Sequence, residues 1–417
     1  DWNGNDHFGV DDPSDYDLDL DAHRDVAMFR YPVFHDDGTV THPGGSGVAM
    51  EAGFVNSRGL LVDATLWVPG ELVEGMDAPS DIVTLRTEKR PAIAFASGIS
   101  SSQVDYYWFA ESMAARGYVV LTYDPVGQGQ SEGTWSDTFQ QGAGTGDCGF
   151  GGACLDVQDA VRWLVGTPIT PRTDLTGLEN GQVRPFDPAK DPAGGPLNPI
   201  SKLVDVRNVG LAGNSMGALS TLNYLTTLAS GSSPDGRPLP LVKAAVAMSG
   251  ATPGATTKVP LQLQTSDFDG SPTLVGPGLG GVSLGGAGQG IGYYPIKDMF
   301  DRIRPNASRD LSLVVMAGGV HTDHVAVPYV PRTLWSIHLA SHYAGAWFDC
   351  HIKGSGRACA ATRVGIAHLS SAFGSELDPT GPANELCLAT PTTMSLNYDA
   401  QDLAALRPRS CHGRANP

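Results

Sequence analysis

Residues 209–217 read Val209-Gly210-Leu211-Ala212-Gly213-Asn214-Ser215-Met216-Gly217. A short apolar strand signal leads into Gly213-Asn214-Ser215-Met216-Gly217, and a helix-like run, Ala218 to Leu228, follows it. A serine on so sharp a strand-to-helix turn needs glycines around it, because a Cβ would clash there. The G-x-S-x-G pentapeptide is a weak pattern by itself. Between a strand and a helix it becomes a specific one and marks Ser215 as a candidate nucleophile.

The elements around this turn set the fold class. Upstream, Gly53 to Val68 alternates like an antiparallel hairpin, with a turn at Asn56-Ser57-Arg58-Gly59. Ala92 to Ala96 is a short buried strand ending at Ser97-Gly98. Val104 to Arg116 has helical apolar spacing, and Gly117 stops it. Tyr118 to Tyr123 is a strand and Cys154 to Val165 an amphipathic helix. Downstream, strands are expected at Ala244–Met248, Leu261–Gln264 and Leu311–Met316, then a long helix from Thr333 to Lys353, closed by Gly354. Strands that alternate with helices and read as near-continuous apolar runs indicate α/β architecture: a mostly parallel central sheet with helices on both faces. Ligands of such sheets sit at the carboxyl ends of strands, so chemistry is expected in the loops after them. The organisation expected is an acidic N-terminal extension over 1–52, packed on the core, and a catalytic domain over 53–375. Inserts near 166–198 and 270–292 interrupt that domain, and a disulfide-tied tail covers 376–417.

Composition narrows the class. The chain has 417 residues, 41% of them hydrophobic and only 17% charged, with 52 Gly and 30 Pro, which suits a loop-rich globular enzyme. A formal net charge of −17 disfavours nucleic acid and anionic membranes, which reward basic patches, and is compatible with a neutral or cationic substrate. No apolar run is long enough to span a bilayer, so integral membrane association is not expected. The start at Asp1, with no leader, reads as a processed or trimmed chain. Six cysteines, none in a metal pattern, suggest neighbouring disulfides Cys148–Cys154, Cys350–Cys359 and Cys387–Cys411 and an oxidising compartment. Asn306-Ala307-Ser308 is a possible glycosylation sequon. Asp15, Asp17, Asp19 and Asp21 lack the glycine and closing glutamate of a calcium loop and read as a solvated acidic arm.

A serine hydroxyl needs a base to take its proton and an acid to orient that base. Thr265-Ser266-Asp267-Phe268-Asp269-Gly270, after the strand at 261–264, offers two acids, Asp267 and Asp269. Ala317-Gly318-Gly319-Val320-His321-Thr322-Asp323-His324, after the strand at 311–316, offers His321, with His324 in reserve. The order Ser, acid, His is the one expected when Ser215 is the nucleophile. His338 and His342 are one helical turn apart but lack the glutamate of a zinc motif. An oxyanion hole needs two backbone N–H groups. Met216 is the first candidate. The second lies in Ser97-Gly98-Ile99-Ser100-Ser101, with Ile99 the preferred donor and Ser100 the alternative. Asp124-Pro125-Val126-Gly127-Gln128-Gly129 carries no phosphate-loop ending and reads as a structural turn.

Taken in order, Ser97-Gly98-Ile99, Gly117 to Val120, Asp124-x-x-Gly127-x-Gly129-x-Ser131, the serine pentapeptide, Asp267-Phe268-Asp269 and Gly318-Gly319-Val320-His321 resemble the α/β-hydrolase superfamily over most of residues 53–354. Within it the chain looks most like secreted bacterial serine ester hydrolases of the dienelactone-hydrolase and cutinase-like group. That likeness implies Asp269, the second acid, as the triad acid and Ile99 as the first oxyanion donor. Asn214 stands where His is common before the nucleophile, and the inserts and acidic arm are not cutinase features. The resemblance implies a secreted, monomeric carboxylic ester hydrolase acting through an acyl-enzyme on small-molecule, lipid or polymeric esters. No cofactor and no metal is expected. A peptidase or amidase on the same fold is the alternative.

Overall fold

Along the strand at 90–96, Ala92, Ala94 and Ala96 point into one core and Ile93 and Phe95 into another. Val119, Leu121 and Tyr123 oppose Val120 in the same way, and Ala245 and Ala247 oppose Ala244, Val246 and Met248. Strands covered on both faces carry apolar residues at every position. That is why they read in the sequence as unbroken runs rather than as polar–apolar alternation.

The computed structural model describes residues 24–28, 33–34, 40–41, 46–69, 88–140, 148, 150–169, 198, 201–231, 238–252, 255–269, 293–303, 309–326 and 336–362. The strands are β1 (Arg24–Met28), β2 (Val33–Phe34), β3 (Val40–Thr41), β4 (Ser46–Val55), β5 (Leu61–Pro69), β6 (Arg90–Ala96) and β7 (Val119–Tyr123). They continue with β8 (Val204–Asn214), β9 (Ala244–Met248), β10 (Leu261–Phe268) and β11 (Leu311–Val320). The helices are α1 (Tyr107–Ala115), α2 (Trp135–Phe139), α3 (Gly151–Leu164), α4 (Met216–Ser230), α5 (Tyr293–Ile303), α6 (Ser336–His351) and α7 (Gly356–Ala361).

Nine strands form one sheet in the order β1-β4-β5-β7-β6-β8-β9-β10-β11, and β2 pairs with β3 separately. From β7 to β11 all neighbours are parallel. At the other edge β1, β4, β5 and β7 pair antiparallel. Residues of α3, α4 and α5 fill the core on one face, and residues of α1 and α6 fill the other. This is the α/β-hydrolase fold. From β6 the chain passes to β7 on one side and later to β8 on the other, so the order reverses around β6. A crevice opens at such a reversal, at the carboxyl ends of the strands.

The hairpin expected at 53–68 is β4–β5, closed by the Asn56 N–H on the Leu60 carbonyl at 2.9 Å and by Gly59 at φ 80°. The helix expected from Val104 begins instead as a 3-10 turn over Gln103–Tyr106, with α1 starting at Tyr107. Asp105 and Asp124 are the reason. They accept the N–H groups of Ser102 (2.9 Å) and Gln103 (2.6 Å) and so tie down that first turn. β10 and β11 run further than the apolar pattern predicts, to Phe268 and Val320, because their backbones remain paired there. Of the stretch read as an acidic arm, residues 24–28 pair as β1 with residues 46–50 at the start of β4. Cys148–Cys154 and Cys350–Cys359 are disulfides. The third expected pair, Cys387–Cys411, lies outside the described residues, as do the Asp15–Asp21 run, the sequon, the tail at 376–417, the insert at 270–292 and most of that at 166–198. Among the described residues no helix is long and apolar enough to cross a membrane.

Candidate active site

Strand register alone brings the key positions to one edge. Asn214 pairs with Met248 across β8 and β9, so the next residues, Ser215 and Ser249, leave the sheet side by side. Phe268 pairs with Val320 across β10 and β11, so Asp269 and His321 do the same. Ala96 pairs with Gly213 across β6 and β8, which sets Ser97-Gly98-Ile99 beside the serine turn.

Ser215 caps α4 at φ 51° and ψ −113°, a conformation non-glycine residues rarely adopt. Its N–H bonds the Met248 carbonyl at 2.7 Å, and its carbonyl accepts from Leu219 N–H at 3.1 Å. The glycines leave no room for substitution. A Cβ on Gly217 would collide with the Ala96 carbonyl, and one on Gly213 with the Gly217 carbonyl. Ser215 is buried, with its Oγ 3.0 Å from Nε2 of His321.

Nδ1 of His321 lies 2.7 Å from Oδ1 of Asp269. The other Asp269 oxygen accepts from the Thr265 hydroxyl at 2.8 Å. Burial works to raise the Asp269 pKa, but the hydrogen bond from His321, the charge of His321 and the hydroxyls of Ser249 and Thr265 outweigh it. The carboxyl is held below its usual range, so it stays ionised beside the imidazole. Of the two acids, Asp269 meets His321, while Asp267 lies within β10. His324, the reserve histidine, is fully buried and points elsewhere, with Nδ1 3.0 Å from Ser249 Oγ. His342 is buried on α6. Among the described residues, no group of three or more His, Cys, Asp or Glu is arranged to hold a metal.

Met216 opens α4, where the first N–H groups have no intrahelical acceptor. Ile99 packs with Met216 in a small apolar cluster that also holds Phe150, Leu219 and the Cys148–Cys154 pair. Ser100 N–H, the alternative donor of that loop, is committed to Gln128 Oε1 at 2.6 Å. Tyr106 bridges the two turns. Its hydroxyl accepts from Gly98 N–H (3.0 Å) and donates to Asn214 Oδ1 (2.9 Å). Asn214 therefore stands before the serine as a strut, not as a titrating group.

Asp124 is buried and accepts from the N–H groups of Gln103 and Gln130, and burial raises it to about 6. With Gly127 and Gly129 at positive φ, the segment after β7 closes on this carboxyl as a turn. Sequence reasoning did not single out Tyr106, Ser249 or Thr265. Ser249 carried one usable signal, a serine directly after a parallel strand and before Gly250. Tyr106 and Thr265 carried none, since a helical tyrosine and a strand threonine read as ordinary packing.

The family model for X-Pro dipeptidyl-peptidase (S15 family) matches residues 59–232. The matched span includes β6, the Ile99 loop and the serine turn, and it ends before Asp269 and His321. No curated protein matches the chain. The S15 family comprises serine peptidases within the α/β-hydrolase superfamily, so match and fold together make this chain a serine hydrolase of that superfamily.

Proposed function

We propose that the chain is a serine peptidase or amidase in which Ser215, His321 and Asp269 form the catalytic triad. One observation carries the mechanism: an unbroken hydrogen-bonded line from Asp269 through His321 to Ser215, 2.7 Å and 3.0 Å long. His321 Nε2 takes the Ser215 proton as Oγ attacks the carbonyl carbon. The tetrahedral oxyanion accepts from the N–H groups of Ile99 and Met216. His321 then protonates the leaving amine, the C–N bond breaks, and an acyl-enzyme remains on Ser215. Water, deprotonated by His321, attacks that ester and restores the free serine. Asp269 stays ionised throughout and fixes the imidazole with its proton on Nδ1.

The matched family supports an amide rather than an ester as the bond cleaved, with peptides carrying proline at the second position as the first substrates to try. A carboxylic ester hydrolase is the second reading. It draws on Asp269, the later acid of Asp267-Phe268-Asp269, being the one that meets His321, as the cutinase-like resemblance implies. Two disulfides support a secreted protein in an oxidising compartment.

The test is hydrolysis of an Ala-Pro arylamide and of p-nitrophenyl esters of graded chain length by wild type and Ser215→Ala. Arylamide cleavage by wild type alone is expected. Ester cleavage without arylamide cleavage would favour the second reading. Unimpaired Ser215→Ala would sink the mechanism.

A further inference from the structure

The turn after β7, Asp124-Pro125-Val126-Gly127-Gln128-Gly129, takes part in no step of the mechanism, yet it touches both turns that carry the oxyanion donors. Gln128 is buried near its tip. Its backbone is fixed on both sides: its N–H bonds the Pro125 carbonyl at 3.0 Å, and its carbonyl accepts from Ser131 N–H at 3.1 Å. Asp124 bolts the same turn to the segment after β6, accepting from Gln130 N–H (3.0 Å) and from Gln103 N–H (2.6 Å). The Gln128 side chain is therefore delivered from a rigid base.

That side chain reaches both donor turns. Oε1 accepts the Ser100 N–H at 2.6 Å, and Nε2 faces the Met216 sulfur at 3.8 Å. Only one orientation of the amide serves. The backbone N–H must meet the oxygen, and the thioether, a weak acceptor, takes the NH2 group. Ser100 sits at φ 58°, where a non-glycine residue is strained. The bond to Gln128 holds Ser100 there against that strain. Ile99 lies directly before this strained link, so the direction of its N–H depends on where Ser100 is held. On the other side, Met216 shares an apolar cluster with Ile99, Phe150 and Leu219, and Gln128 supplies a polar contact to its sulfur.

We propose that Gln128 is a positioning residue for the oxyanion hole: by bridging Ser100 and Met216 it sets the spacing of the Ile99 and Met216 N–H groups. This rests on the triad and oxyanion reading above. Two donors serve one oxygen only when both lie about 2.7–3.1 Å from it, and a misplacement of about 1 Å costs on the order of a hundredfold in rate. The pairing of β6 with β8 ends at Ala96 and Gly213, so beyond that point side chains must fix the spacing of the two turns. Tyr106 ties Gly98 to Asn214 ahead of the donors. Gln128 ties Ser100 to Met216 at the donors themselves. Full charge on the oxygen develops only as Ser215 attacks. Loss of this strut therefore slows bond formation and leaves ground-state binding alone.

The test needs no knowledge of the substrate. The rate of Ser215 labelling by a fluorophosphonate is followed against reagent concentration in wild type, Gln128→Leu, Gln128→Asn and the double variant Gln128→Leu with Ser100→Gly. Gln128→Leu keeps bulk and loses the acceptor; Gln128→Asn keeps the amide on a shorter arm. Both should label about tenfold to a hundredfold more slowly at saturating reagent. The half-saturating concentration and the final labelled fraction should match wild type. A merely structural role would do the reverse, lowering the labelled fraction and leaving the rate of the folded molecules unchanged. Glycine adopts φ 58° without strain, so the double variant should label severalfold faster than Gln128→Leu. Wild-type saturating rates in both single variants would overturn the inference. So would a loss confined to the labelled fraction or to half-saturation, or a double variant no faster than Gln128→Leu. If Gln128→Leu fails to fold, Gln128→Asn, alone and with Ser100→Gly, decides the matter. An unlabelled Ser215 in wild type overturns the triad reading and this inference with it. A labelled wild type with variants as fast overturns this inference only.

Discussion

His324 ties the stability of the fold to pH. In the folded protein it is fully buried and stays neutral down to about 4, against an ordinary value of 6.5. Between those values the unfolded chain binds a proton that the folded chain refuses. Stability therefore rises with pH across that window and is lost as pH falls from 6.5 towards 4. About 2.5 units at ~1.36 kcal/mol each amount to roughly 3 kcal/mol near pH 4. That is a large share of a total of about 5–15 kcal/mol for a typical domain. His324→Asn removes the titration and keeps a polar group beside Ser249. The assay is urea unfolding of both proteins from pH 7 down to pH 4, with circular dichroism and tryptophan fluorescence required to agree. Wild type alone is not a clean readout, because Asp124 acts in the opposite sense. Burial raises it to about 6, so its contribution is present at low pH and lost as pH rises through that value. Asp124 is common to both proteins, so their difference isolates His324. That difference should be flat above pH 6.5, with wild type losing roughly 3 kcal/mol against the variant by pH 4. A constant difference over the whole range would refute the assignment.

Asp269→Asn should fold normally but lower kcat on the order of ten-thousandfold, because the amide no longer holds the His321 proton on Nδ1; steady-state kinetics on the substrate found above checks this. Gly217→Ala should abolish labelling of Ser215, since the new Cβ meets the Ala96 carbonyl and backbone cannot step aside. Its melting temperature should fall as well, by the equivalent of about 1–3 kcal/mol of overpacking. Asp156 accepts from Arg58 (2.7 Å), Asn56 Nδ2 (2.8 Å) and Val126 N–H (2.9 Å), all of them buried. Asp156→Ala strands the Arg58 charge and should cost about 3–5 kcal/mol in chemical denaturation. The double replacement Arg58→Met with Asp156→Leu should cost less than that single change, and a larger cost would refute the pairing argument.

The order of strands and helices was legible because local chemistry specifies it. Runs such as Ala244–Met248 are apolar at every position only when both faces are covered, and a glycine-flanked serine between a strand and a helix has few other uses. His321 and the pair of acids, Asp267 and Asp269, were legible for the same reason, since they fall where the apolar runs of two strands end. The choice between the acids was not. Both are aspartates two residues apart, and only the Phe268–Val320 pairing puts Asp269 opposite His321.

Sequence by itself determined the class of chemistry: a serine, a base and an acid in the right order on a parallel sheet. Only the tertiary structure decided which groups support them. Ser249, Thr265, Tyr106 and His324 reach the site by strand register and by long-range contacts, such as Tyr106 to Asn214, 108 residues apart. Register is a property of paired backbones, and a single strand does not encode which residue of its neighbour it will face. The Ser249 hydroxyl, ordinary in the chain, meets His324 only once β9, β10 and β11 lie side by side.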